Sequence, residues 1–161
     1  MNAMKNNVRI RILTRQRKNG ESDEMEICTE GTFLCKKGVY YLFYTEYTEI
    51  GEVSVRITAD DTCVKVYRNG ACRSKVEYRP GVPCEYAYQL PYGELMMTAD
   101  TKEILCGFSK EGGSLKLSYF LDIHHEIFEN ELTIEVTGKD EEYVSNRNRP
   151  RRDDAGNEGS R

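Results

Sequence analysis

Hydrophobic and polar residues alternate along most of this chain, in short runs separated by turn-forming residues. In the first run, Val8, Ile10 and Ile12 alternate with Arg9 and Arg11. Successive side chains of a β-strand point to opposite faces, so a period of two predicts strands with one buried and one solvent-facing side. No run carries a convincing helical pattern. The sequence therefore predicts an all-β protein.

The runs predict about ten strands joined by short turns. We expect the strands over residues 7–17, 24–36, 39–47, 53–57, 63–68, 73–79, 84–90, 94–99 continuing into 104–108, 115–123 and 132–136. Asn69-Gly70 is the strongest hairpin signal, because a type I′ turn needs positive φ at both central residues. Regular spacing and short connections favour an antiparallel up-and-down β-barrel of about eight to ten strands.

The alternation stops near residue 138. The chain of 161 residues has the length of one domain. We expect a barrel domain over residues 1–138 and a disordered polar tail over residues 139–161, which carries too few apolar residues to fold. The basic stretch at residues 146–152 is followed at once by acidic residues, which favours a solvated tail over a nucleic-acid contact.

Charge and cysteine usage exclude several classes of protein. The net charge of −4 argues against nucleic-acid binding and against an anionic membrane surface. The first residues carry no apolar run of signal-peptide length, and no stretch approaches the roughly 20 apolar residues of a membrane span. Without a secretory signal or a Cys-x-x-Cys motif, the six cysteines are expected to be free thiols. We therefore expect a cytoplasmic protein without a bound metal or cofactor.

Polar residues interrupt the inward-facing positions at matching strand ends. In an up-and-down meander the first, third and fifth strands run the same way, so their carboxyl ends lie at one end of the barrel. Thr14 and Gln16 continue the inner face of the first strand, Glu46 that of the third and Arg68 that of the fifth. We expect these four side chains to converge at one mouth, with Tyr44 one layer below.

Two interpretations of this mouth stay open. In one, Arg68 meets the carboxylate or phosphate of a small, partly apolar ligand, and Tyr44, Tyr119 and aliphatic side chains line the interior. In the other, which the residues favour, Glu46 and Arg68 form an internal ion pair and the remaining polar residues reach solvent. Cavity volume separates the two, because barrels of about eight strands are either filled by side chains or hold one small ligand.

Other functions have less support. The sequence contains no nucleophile elbow, Walker loop or His-Glu-x-x-His motif, so an enzyme with Glu46 as acid/base has only geometry in its favour and we expect none. His124 and His125 are adjacent, so on a strand their side chains face opposite sides and cannot both coordinate one metal ion. A packed barrel acting as an interaction or structural module is the main alternative. Tyr41, Phe43 and Tyr47 share the face opposite Tyr44 and are candidates for a partner contact, so both a monomer and a homodimer remain open.

From about residue 8 to 137 the chain resembles the YwiB-like family of small bacterial proteins, a domain of unknown function with a calycin-like barrel. The resembling pieces, in order, are Thr14-Arg15-Gln16, Glu30-Gly31, residues 41–46, Arg68-Asn69-Gly70, Tyr78-Arg79-Pro80-Gly81, Pro91-Tyr92-Gly93, residues 97–101, Gly113-Ser114-Leu115 and Leu117-Ser118-Tyr119. The resemblance implies a lipocalin-like barrel from the bacterial cytoplasm and brings no established catalytic residues. The tryptophan typical of the first strand of true lipocalins is missing, so the resemblance does not imply ligand transport.

Overall fold

The computed structural model of this protein describes residues 6–138, which form ten antiparallel strands and no helix. The strands are β1 (Asn6–Lys18), β2 (Glu21–Lys36), β3 (Val39–Thr48), β4 (Gly51–Ala59), β5 (Val64–Gly70), β6 (Ser74–Tyr78), β7 (Cys84–Leu90), β8 (Gly93–Ser109), β9 (Gly112–Ile123) and β10 (Glu126–Gly138). The predicted all-β class and strand number are confirmed. The expected polar tail, residues 139–161, lies outside the described residues.

The strands form one sheet that curls into a nearly closed barrel. Its order is β6-β5-β4-β3-β2-β1-β10-β9-β8-β7, so each strand pairs with its sequence neighbour except at the β1–β10 pair and at the two edges. The edge strands meet where the amide nitrogens of Arg73 and Gln89 donate to each other's carbonyl oxygens, at 2.9 and 2.8 Å. The up-and-down barrel predicted from the turns is therefore confirmed.

The two ends of the barrel differ in how they are filled. We call "the mouth" the end that holds the turns between β1 and β2, β3 and β4, β5 and β6, β7 and β8, and β9 and β10. At the opposite end Phe33 packs edge-on against Phe108, with ring centroids 5.3 Å apart, and stacks on Tyr40 at 5.9 Å. Aromatic side chains thus close the far end, and the polar inward residues lie toward the mouth.

The hairpin predicted at Asn69-Gly70 forms between β5 and β6, but the predicted position of its turn is wrong. Both residues belong to β5, where they pair with Ser54 and Val53, and the chain turns afterwards at Ala71 and Cys72. A Cβ on Gly70 would lie 2.4 Å from the carbonyl oxygen of Glu52. This glycine therefore serves a close approach between two backbones, which the turn propensity of the dipeptide does not reveal.

Adjacent histidines form another hairpin turn. His124 and His125 have φ values of 53° and 68° and connect β9 to β10. Positive φ at both central residues is the type I′ geometry that fits the twist of a hairpin. The carboxylate of Asp122 accepts a hydrogen bond of 3.0 Å from the amide of His125 and supports this turn.

The arginines that alternate along β1 lie on its outer face, where they form ion pairs with the neighbouring strands. Arg11 lies between two carboxylates, with Nε 2.6 Å from Glu26 of β2 and Nη1 3.0 Å from Glu135 of β10. Arg15 repeats the arrangement with Glu24 and Glu131. The Arg11 guanidinium lowers the pKa of the Glu26 carboxyl. These ion pairs join three neighbouring strands on a solvent-facing surface.

Because the pairs are exposed, we expect them to contribute little and only at low salt. Replacing Arg11 with Met should lower the urea midpoint slightly at low ionic strength, and the difference should vanish in molar sodium chloride. Urea unfolding of both proteins at the two salt concentrations checks this. An equal difference at both would show that the side chain stabilises through packing rather than charge.

Candidate functional site

An ion pair between Arg68 and Glu46 lies on the inner face near the mouth. Nε of Arg68 donates to Oε1 of Glu46 at 3.2 Å, and Nη2 donates to Oε2 at 3.4 Å. The side chains are only 24% and 20% exposed. The register explains the contact, since Arg68 lies opposite Val55, which lies opposite Tyr44, one inward position below Glu46. The predicted convergence of Glu46 and Arg68 is therefore confirmed, and in this structure they form an internal ion pair.

Arg68 stays charged despite its burial. Desolvation opposes the charge, but the Glu46 carboxylate outweighs it and raises the pKa of Arg68 above its usual range. A guanidinium has more N–H donors than one carboxylate can accept. Among the described residues only Glu46 accepts a side-chain hydrogen bond from Arg68, so the Nη1 side of the fork remains available.

Tyrosine side chains surround this guanidinium. Burial raises the pKa of each, to about 12 for Tyr44, while the nearby positive charge of Arg68 lowers it in part. The tyrosines that feel both effects are Tyr44, Tyr78, Tyr86, Tyr88 and Tyr119. Their phenol groups therefore share the barrel interior with one cation.

Several hydroxyl groups around Arg68 lack a strong acceptor. Cys72 Sγ donates to the Tyr88 hydroxyl at 3.4 Å, and the Tyr86 hydroxyl donates to Met97 Sδ at 3.9 Å, and both are weak sulfur contacts. Ser74 lies directly opposite Arg68 on β6, and its buried hydroxyl has no hydrogen-bond partner. The site thus collects donors beside a cation, an arrangement suited to an oxyanion.

The other predicted mouth residues do not join the ion pair. Gln16 lies opposite Asn130 of β10, which lies opposite Tyr119 of β9, and Thr14 lies opposite Leu132. The reason is that β2 pairs with β3 only from Thr32 to Lys36. The parts of β1 and β3 nearer the mouth are therefore separated. The structure brings Gln16 into the row of Tyr119 rather than beside Arg68. A ligand-binding role for these residues stays a prediction.

A deeper polar row crosses β10, β9 and β8. Asn130, Tyr119 and Thr101 lie opposite one another in that order. The Tyr119 ring packs against Tyr78, with ring centroids 4.7 Å apart, and although burial raises the pKa of Tyr119, the neighbouring Tyr78 and Asn130 side chains lower it in part. Asn130 and Thr101 are 2% and 3% exposed, and Oδ1 of the first and Oγ1 of the second have no partner. Neither residue is among the site residues predicted from the sequence.

Two sequence signals point to the missed side chains. Asn130 shares the inner face of β10 with Leu132, Ile134 and Val136. It is therefore a polar residue at a position where the alternation predicts an apolar one. Tyr86 and Tyr88 alternate on β7, which runs in the same direction as β3 and β5. Extending the strand count beyond the fifth strand would have placed these tyrosines at the mouth.

The aromatic residues proposed for a partner contact lie along grooves of the outer wall. Phe43 and Tyr47 are 37% and 76% exposed and line a groove of about 670 Å³ on the outer wall. Arg56 lines the same groove and stacks on Tyr67, with its guanidinium carbon 4.2 Å from the ring centroid. Tyr41 lines a neighbouring depression beside Lys65 and Arg79, and Arg56 and Tyr67 line both surfaces, so a partner contact by these aromatic residues stays a prediction.

Some chemical roles find no support in the part of the chain that the structure describes. Across residues 6–138 no group of three or more His, Cys, Asp or Glu side chains could hold a metal ion. The same residues include no helix that is long and apolar enough to cross a membrane. The six cysteines are free, as the sequence predicts.

The raised pKa of Tyr44 makes stability depend on alkaline pH. An unfolded tyrosine ionises near pH 10, whereas folded Tyr44 has a pKa of about 12. Its contribution is therefore complete below pH 10 and is lost as the pH rises towards 12, by about 2–3 kcal/mol.

We expect Tyr44→Phe to flatten the fall of unfolding free energy over this range, and Tyr47→Phe at an exposed position to leave it unchanged. Urea unfolding at a series of alkaline pH values measures both slopes. Identical slopes for wild type and Tyr44→Phe would contradict this assignment.

Together these features define an antiparallel ten-stranded β-barrel with a polar, tyrosine-rich interior toward its mouth. The chain belongs to the family described as domain of unknown function DUF1934, whose model matches residues 10–134. It is 26% identical over 108 residues to the uncharacterized β-barrel protein YwiB of Bacillus subtilis (strain 168), covering 67% of this chain and 76% of that protein.

The fold is also that of a solved structure. The crystal structure of the ywiB protein from Bacillus subtilis superposes with a TM-score of 0.78 at 22% sequence identity, covering 83% of this chain and 92% of that chain. The resemblance to the YwiB-like family is thereby confirmed. At this identity the structural match supports the fold and says nothing of a ligand.

Proposed function

We propose that this protein is a cytosolic binding barrel that takes a small, partly apolar carboxylate at its mouth, with Arg68 as the anchor. The observation that carries the proposal is the half-paired guanidinium of Arg68, which lies across from the unpartnered hydroxyl of Ser74. Arginine and hydroxyl donors in a partly desolvated site bind carboxylate oxygens through short, charge-assisted hydrogen bonds.

The apolar part of the ligand has a matching lining. Tyr86, Tyr88, Leu90, Leu121 and Leu132 are partly buried side chains that pack against the core. Ligand sites commonly combine such an apolar wall with a few well-placed polar groups. The lining therefore favours a carboxylate that carries a hydrocarbon or aromatic body over a small inorganic anion.

Glu46 has a positioning role in this proposal. It holds the Nε and Nη2 edge of the guanidinium and leaves the Nη1 side free. Its charge also repels an incoming carboxylate. Glu46→Gln keeps a hydrogen-bond acceptor and removes the repulsion, so we expect it to tighten carboxylate binding roughly tenfold.

Titration calorimetry with octanoate tests the proposal. We expect octanoate to bind wild type, to bind Glu46→Gln more tightly, and to lose measurable binding in Arg68→Met. Octanol should bind weakly to all three, because it lacks the charge. The matched control is Arg56→Met, which removes an arginine from the outer wall.

Equal octanoate affinity in wild type and Arg68→Met would overturn the proposal. The double variant Arg68→Met/Glu46→Leu guards against a folding artefact, since it removes both charges together. Native mass spectrometry of the purified protein adds an unbiased readout. A small molecule that co-purifies with wild type and is absent from this double variant would identify the natural ligand class.

A second candidate function is an interaction module that uses the outer groove. The observation in its favour is the exposure of Tyr47 and Phe43 beside the stacked Arg56 and Tyr67. In this case light scattering would show a homodimer or a complex that Tyr47→Ser weakens. A monomer at every concentration, with no partner recovered, would count against it.

A further inference from the structure

Two unsatisfied polar atoms lie deep in the barrel, away from the Arg68–Glu46 pair. They are Oδ1 of Asn130 and Oγ1 of Thr101, on residues that are 2% and 3% exposed. A buried polar atom without a partner costs about 1–3 kcal/mol, and native proteins leave few of them. Their presence on one inward row points to a group that the described residues do not supply.

The register places both atoms on either side of Tyr119. Asn130 lies opposite Tyr119 on one side, and Thr101 lies opposite it on the other. The Tyr119 ring packs against Tyr78 in the same interior. The row is therefore a polar shelf with its two outer members unsatisfied, and we call these three residues "the polar shelf".

A hydroxyl group matches the hydrogen-bonding capacity of both unsatisfied atoms of the polar shelf. An amide oxygen only accepts hydrogen bonds, so the partner of Asn130 Oδ1 must donate. The Thr101 hydroxyl can donate or accept, so a partner that does both satisfies either atom. A carboxylate has no proton to donate, and an ammonium cannot accept. A neutral hydroxyl meets both requirements without burying a second charge.

The shelf and the Arg68 site belong to one interior. Tyr78 and Tyr119 pack together beside the shelf, and the positive charge of Arg68 acts on both phenol groups. Tyr86 and Leu121 are partly buried apolar side chains that pack against the same core. One ligand can therefore have its carboxylate at Arg68, an apolar middle, and a polar group at the shelf.

Resting on the proposed function, we propose that the barrel binds a carboxylic acid that carries a hydroxyl group at its far end, with the hydroxyl hydrogen bonded on the polar shelf to Asn130 or to Thr101. This assigns a ligand class, hydroxylated carboxylic acids, and a second subsite that recognises the hydroxyl. Specificity for that hydroxyl follows from the cost of leaving the shelf unpaired when a plain acid binds.

The test compares ω-hydroxycarboxylates with plain carboxylates of equal chain length, from hexanoate to decanoate, by titration calorimetry. We expect one chain length at which the hydroxy acid binds wild type at least roughly tenfold tighter than the plain acid. Asn130→Leu and Thr101→Val are close in shape to the native residues and remove one unsatisfied atom each, so both should fold. At least one of the two variants should abolish the preference for the hydroxyl, so that the hydroxy acid binds it no more tightly than the plain acid of equal length.

The outcomes separate this inference from the proposed function. If octanoate binding depends on Arg68 but no hydroxy acid binds more tightly than its plain counterpart, the inference is overturned and the binding barrel stands. A hydroxyl preference that persists in both Asn130→Leu and Thr101→Val would also overturn it. If neither class of acid binds at any chain length, both proposals fail.

Discussion

Arg68→Met is expected to destabilise the barrel by about 2–4 kcal/mol, because it leaves the Glu46 carboxylate four-fifths buried without its partner. Removing one member of a desolvated pair exposes the full cost of burying the other charge. The loss should therefore exceed that of any exposed ion pair on the outer face of β1.

The double variant Arg68→Met/Glu46→Leu should recover most of this loss. With both charges gone, the desolvation cost disappears and the new side chains can pack against the apolar lining. Urea unfolding of wild type, both single variants and the double variant gives the coupling energy of the pair. Effects that simply add would show that the two side chains do not interact in solution, and the site geometry described above would then be wrong.

This pair is also the part of the site that the sequence predicts best. Its contact follows from two local properties, the parity of side chains along a strand and the alternating direction of strands in a meander. Neither requires knowledge of distant contacts. Counting from β3 to β5 was therefore enough to place Glu46 beside Arg68.

The predictions that the structure modifies share a different origin. Thr14 and Gln16 lie on the mouth side of β1 as predicted, but β2 pairs with β3 only from Thr32 to Lys36, so β1 and β3 separate toward the mouth. Asn69-Gly70 carries strong turn chemistry, yet β4 continues to pair with both residues. In each case a neighbouring strand decides the outcome, and local sequence preference does not contain that information.

The most chemically interesting residues were the hardest to find. Ser74, Thr101 and Asn130 are ordinary residues in the sequence, and what singles them out is that burial leaves a side-chain atom of each without a partner. That property depends on the whole barrel. It also depends on closure between β6 and β7, where the described ladders include only the Arg73–Gln89 bridge between the two strands.

A second large effect on stability is expected from a substitution at Gly31, where β2 separates from β3. A Cβ on Gly31 would lie 2.1 Å from the carbonyl oxygen of Phe43, 2.8 Å from a methyl carbon of Ile10 and 3.1 Å from Cβ of Tyr44. The backbone oxygen of Phe43 cannot move aside as the end of a flexible side chain can. Gly31→Ala must therefore push β2 and β3 apart, at a cost of about 3 kcal/mol, the upper end of the usual range for overpacking.

Gly107→Ala is the matched control, because its added Cβ would meet a single backbone oxygen, that of Ser114, at 3.0 Å. We expect its cost to stay within about 1 kcal/mol. Chemical denaturation of both variants measures the difference. Because Gly31 contacts Tyr44, the Gly31→Ala protein that remains folded should also bind octanoate more weakly, whereas Gly107→Ala should bind it normally. Equal stability losses in the two variants would show that β2 and β3 lie farther apart at Gly31 than the structure has them.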